Sequence, residues 1–81
     1  MTTLTPDAKR DRFARIAPSR VEKIRDMLRI LGNCSNRSNY SWQQNKVRTL
    51  FALLIREFIT TARLFDVEIT AQVDNIDVQT L

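Results

Sequence analysis

The sequence predicts an all-α fold: a helical hairpin with an additional short N-terminal helix, oligomeric, ending in an extended acidic C-terminal tail. Three observations carry that reading. Apolar residues make up 43% of the 81 residues and recur at helical spacing along two long stretches. One Gly and two Pro leave too little turn chemistry for the tight turns that an all-β fold of this length needs. A chain of 81 residues is one small domain, and at this size only about 60–65% of the unfolded surface is buried, so short helices depend on partners.

The elements follow in order. Thr5-Pro6-Asp7 reads as a helix start: Thr5 caps, Pro6 suits the first helical position, and Asp7 sits at the positive end of the dipole. A first helix over 5–17 has Phe13, Ile16 and Ala17 as apolar contacts, with Lys9, Arg10, Arg12 and Arg15 around them. Pro18 is expected to break it, because proline donates no N–H and disfavours helix at Ala17. A second helix fits 19–31, with Val21, Ile24, Leu28 and Leu31 at the spacing of a heptad seam. Glu22 can pair with Arg25, and Asp26 with Arg29, each at i, i+3. Gly32 stands where a helix ends on a left-handed residue.

Ser41-Trp42-Gln43-Gln44 reads as a capping box opening a third helix over 42–65. Its stripe is Val47, Leu50, Phe51, Leu54, Phe58, Ala62 and Phe65, widened by Ile55 and Ile59, so cover from more than one side is expected. Arg48, Arg56 and Arg63 lie toward the other face. Leu53 and Leu64 point that way too, and with Phe58 they form the expected homo-oligomer interface. Beyond Phe65, Val67, Ile69, Ala71 and Val73 alternate with polar residues at the period of a strand, for which the rest of the chain offers no evident partner. A lone strand and an extended tail are both open.

Charge divides the chain into a basic helical domain, 1–65, and an acidic tail, 66–81. The first holds all 13 basic residues and five of the nine acidic ones, for +8; the second carries −4. Such a layout is expected to let the tail lie on the basic surface of its own chain or a neighbour and compete there with a polyanion.

Between the long helices, Asn33-Cys34-Ser35-Asn36-Arg37-Ser38-Asn39-Tyr40-Ser41 runs as three Asn-x-Ser triplets. One reading is structural: Asn and Ser side chains bond their own backbone and build turns without Gly or Pro. The other is functional: a polar tip where Arg37 meets phosphate and Tyr40 or Trp42 stacks on bases. The run Arg20-Val21-x-Lys23, continued by Leu28-Arg29-x-Leu31-Gly32-Asn33-Cys34-Ser35-Asn36-x-x-Asn39-Tyr40, resembles a group of small, largely uncharacterised bacterial or mobile-element helical proteins. The resemblance covers residues 12–65 and implies a helical hairpin in a bacterial or mobile-element setting. It implies no activity.

Catalysis fits the composition poorly. Without His, no Ser-His or Cys-His arrangement can form, and a single Gly builds no phosphate-cradling loop. Asp7 and Asp11 share a face crowded by cations, and Cys34 lacks an activating group apart from Arg37. No catalytic residue, cofactor or metal is therefore expected. The N-terminus has no signal-peptide pattern, and the longest apolar run, Leu50 to Ile55, is far short of the roughly 20 residues of a membrane span, so a cytoplasmic protein without a membrane partner is expected.

Two function classes remain. One is a basic helical module that associates with nucleic acid through charge as an oligomer, using Arg20, Arg25, Arg29, Arg37, Lys46 and Arg48. The other is a protein–protein adaptor or regulator that acts through its apolar helix surface without nucleic acid. The stretch 33–41 is longer than the turn of about 3–4 residues in a helix-turn-helix, so that DNA-reading motif is not supported.

Overall fold

Thr5 sets the start of the first helix. In the computed structural model, which describes residues 4–78, Thr5 is extended at φ −68° and ψ 159°, and its side-chain oxygen accepts the Ala8 N–H at 3.1 Å. Pro6 and Asp7 occupy the first turn as the sequence predicts. Thr5→Ala is expected to cost about 1 kcal/mol, read as an earlier thermal loss of helicity by circular dichroism.

The break expected at Pro18 does not form. Helix α1 runs unbroken over Pro6–Gly32, so the predicted helices at 5–17 and 19–31 are one element. Proline inside a helix costs about 3 kcal/mol through its missing hydrogen bond and ring clash. Stopping and restarting costs more: a nucleation constant near 10⁻³ is worth roughly 4 kcal/mol. Continuation wins.

Gly32 is likewise not the left-handed stop. It stays right-handed at φ −58° and ψ −28°, and the chain tightens into the 3₁₀ turn Asn33–Ser35. The Asn33 N–H reaches back to the Ile30 and Leu31 carbonyls, so the last turn is closed by tightening rather than by a change of hand.

Helix α2 spans Gln44–Arg63. The Ser41 capping box is absent: the N-cap is Gln43, extended at φ −111° and ψ 138°, and it makes no side-chain cap bond. The Lys46 N–H is shared by the Gln43 carbonyl at 3.1 Å and Asn45 Oδ1 at 2.9 Å. The helix ends two residues before Phe65. Asp66 takes the left-handed conformation at φ 59°. Its N–H bonds the Arg63 carbonyl and the Val67 N–H bonds the Ala62 carbonyl, both at 3.0 Å, which closes a Schellman motif with Asp in place of the usual Gly.

Of the stretch 67–73, left open between a lone strand and an extended tail, only two residues form strand, and their partner is in the same chain. Strand β1, Gln72–Val73, pairs antiparallel with β2, Ile76–Asp77, with Gln72 opposite Asp77 and Val73 opposite Ile76. Asp74 and Asn75 turn the hairpin with φ of 51° and 66°, the two left-handed residues of a type I′ turn.

The chain divides into two compact units, Met1–Tyr40 and Ser41–Leu81. The first holds α1 and the 3₁₀ turn; none of α1 is buried. The second holds α2 and the tail hairpin, with Ala52, Ile59 and Val78 buried.

Candidate nucleic-acid interface

Burial on α2 lies at one edge of the stripe the spacing marks, at Ile59 and the adjoining Ala52. Leu50, Phe51 and Phe58 of that stripe stay exposed, while Ala52 and Ile59 are buried. Arg48, Ala52, Arg56 and Ile59 fall at i, i+4, i+8 and i+11, one face of a helix. The tail hairpin closes on this face. Arg48 Nε donates to Asp74 Oδ2, and Arg56 Nε donates to the Val78 carbonyl at 3.3 Å. The Val78 N–H bonds the Ala71 carbonyl at 3.3 Å, which ties the end of the hairpin to its start. Two of the three arginines assigned by spacing to the other face, Arg48 and Arg56, are thus the clasps of the tail. Long guanidinium side chains can serve both ends, because the stem packs while the head reaches polar atoms.

The expected oligomer residues on α2 are open in the single chain: Leu53 is 62% exposed, Phe58 39% and Leu64 80%.

On α1 the candidate cations differ in what they already hold. Arg25 is paired with Glu22 at 2.6 Å and Arg29 with Asp26 at 2.5 Å, as the i, i+3 spacing predicts. Arg10 pairs with Asp7 at 3.3 Å. These pairs are exposed, worth about 0–1 kcal/mol each, so a phosphate can compete for the guanidinium. Arg20 is exposed and holds no ion pair among the described residues.

Arg20 is not alone. Lys9, Arg12 and Lys23 are also exposed without an ion pair among the described residues. The four recur at i, i+3, i+11 and i+14, which places them on one face of α1 along about 21 Å of its axis. The basic residues of 9–29 are legible in the sequence; their order into this stripe follows from the continuous helix. The signal was available in the acids: Asp7, Asp11, Glu22 and Asp26 gather on another face, which leaves these four cations unneutralised.

The loop shows its structural reading at Asn36. Asn36 Oδ1 accepts the Ser38 N–H at 2.9 Å, an Asx turn. The Asn36 carbonyl accepts the Asn39 and Tyr40 N–H groups at 3.1 and 2.9 Å. Arg37 and Tyr40 stand exposed on this turn, and Trp42 is half-buried. Lys46 is exposed in the first turn of α2.

No protein-family model, curated protein or solved structure matches the chain. Among the described residues no group of three or more Cys, Asp and Glu side chains is placed to hold a metal ion. Among those residues no helix is long and apolar enough to cross a membrane.

Proposed function

We propose that this chain is a small, non-enzymatic helical module that grips the phosphate backbone of nucleic acid and works as a homo-oligomer, in the cytoplasm of a bacterium or its mobile elements. The observation that carries the proposal is the Lys9, Arg12, Arg20 and Lys23 stripe, a row of exposed cations along one helix face with no ion pair among the described residues. Such a row neutralises phosphates irrespective of sequence. Arg25 and Arg29 on the opposite face of α1, and Arg37, Lys46 and Arg48 outside α1, are separate cations that can each meet a phosphate, Arg25, Arg29 and Arg48 by exchanging a carboxylate for it.

The test is a binding titration on labelled duplex DNA and on single-stranded RNA at several salt concentrations. Four phosphate contacts on duplex DNA give a slope of log affinity against log salt of about −3.6. Arg20→Ala is expected to reduce that slope by roughly 1 with helicity unchanged. A second reading has its own observation. Val21, Ile24, Leu28 and Leu31 form an exposed apolar seam on α1, which suits a protein–protein adaptor. Failure to bind either nucleic acid at low salt would transfer the function to that seam.

A further inference from the structure

We infer that the α1 seam is covered by a second copy of α1 running antiparallel, and that this pairing brings the two basic stripes onto one edge. The inference deepens the proposed oligomeric module and rests on it. In the single chain Val21 is 53% exposed, Ile24 46%, and Leu28 and Leu31 36% each. The seam extends toward the N-terminus through Ala17 and Ala14 at the same heptad positions.

Size complementarity points to a second copy in the antiparallel sense. Laid antiparallel, Ala14 faces Leu31, Ala17 faces Leu28, and Val21 faces Ile24, and each layer occurs twice by the two-fold axis. Every small residue meets a large one, so the layers fill evenly. A parallel pair in register instead stacks alanine on alanine at one end and leucine on leucine at the other.

Charge decides in the same direction. In a parallel pair Arg20 on one flank of the seam faces Arg25 of the second copy, a like-charge contact made twice. Laid antiparallel, Arg20 lies beside Met27 of the second copy and Arg25 beside Pro18. The arginine stems then cover apolar side chains and the Arg20–Arg25 contacts are avoided. Antiparallel helices also oppose their dipoles.

The stripe of Lys9, Arg12, Arg20 and Lys23 lies on the flank that carries Arg20 and Met27. In the antiparallel pair these flanks meet along one edge, so both stripes face the same side. A parallel pair would place them on opposite edges. One continuous surface of doubled charge is what a single phosphate backbone can follow.

The test is cysteine pairing in the full-length chain, with the exposed native Cys34 replaced by Ser. Ala14→Cys and Leu31→Cys variants are oxidised mildly, singly and as an equimolar mixture, and resolved on non-reducing gels. The expected result is a covalent dimer holding one chain of each variant, at least tenfold more abundant than the product of either variant alone. Ala17→Cys with Leu28→Cys repeats the test nearer the two-fold axis and covers a pair that fails to fold. Self-linking of Leu31→Cys alone overturns the antiparallel sense. No linking in a protein that light scattering shows to be dimeric places the interface elsewhere, which overturns the inference and leaves the proposed function standing. A monomeric wild-type chain overturns both the inference and the oligomeric half of the proposed function, while the salt titration still reads the charge half.

Discussion

Ending the chain after Val67 is expected to abolish the cooperative thermal unfolding of the second unit, and Val78→Ala to lower its stability by about 2 kcal/mol. Val78 is fully buried, and Ala52 and Ile59 are the only other buried side chains among the described residues. Val→Ala removes two methyl groups at about 0.8 kcal/mol each and adds a cavity cost. Truncation removes the whole cover and leaves a 20-residue helix with its Ala52–Ile59 face in water. That helix is near the length where isolated helices become marginal. That outcome of truncation would make the acidic tail a structural element of this unit, so deleting it would confound any test of charge masking. Asp74→Asn separates the two effects. It releases Arg48 at a cost of about 0–1 kcal/mol, as expected of an exposed pair, and keeps Val78 in place. Nucleic-acid affinity that rises in Asp74→Asn with the melting temperature nearly unchanged would show that the tail competes for Arg48. A truncated chain that melts like the full one would show that the tail contributes nothing to the core.

The parts of the fold legible in the sequence are those decided within one or two turns. Thr5, Pro6 and Asp7 interact with the first turn they open, and Glu22–Arg25 and Asp26–Arg29 are fixed by helical geometry alone. The illegible parts are decided by competition. Pro18 is a weak helix residue, yet the helix passes through it because propagation is cheaper than a new nucleus, and Gly32 ends the helix without leaving the right-handed region. Ser41 carries the right spacing for a capping box, but the helix begins at Gln44, and spacing cannot select among neighbouring starts. Asp66, Asp74 and Asn75 adopt left-handed conformations usually given to Gly, so a search for Gly missed both the helix stop and the hairpin. The tail's partner was hidden for a different reason: Arg48 and Arg56 look like solvated surface until residues 26 and 22 positions downstream reach them. The cation stripe on α1 was legible in principle, since it needs only the helix period once the helix is known to be continuous.

Leu28→Glu is expected to convert the dimer to monomer at concentrations where the wild type is paired, and to lower the helical signal. Two glutamates then enter each dimer, each opposite Ala17 of the other copy with no cation in the layer. A desolvated charge costs more than a neutral polar group; even at about 1.5 kcal/mol per site, two sites weaken association by more than a hundredfold. Helicity should fall with it, because α1 has no buried residue in the single chain and carries Pro18 at about 3 kcal/mol. Leu53→Glu and Leu64→Glu place the same charge on the α2 residues that the sequence nominates as an interface, so comparing them by light scattering locates the contact. Dissociation by Leu28→Glu alone assigns it to α1; dissociation by Leu53→Glu or Leu64→Glu alone assigns it to α2. A size exchange then excludes a mere loss of folding. Ala17→Leu crowds its layer and Leu28→Ala leaves a void, so each should weaken the dimer. Carried together, they restore a small residue facing a large one in the antiparallel layer, and the dimer should recover. A parallel pair would keep both defects, because each residue would then meet its own copy.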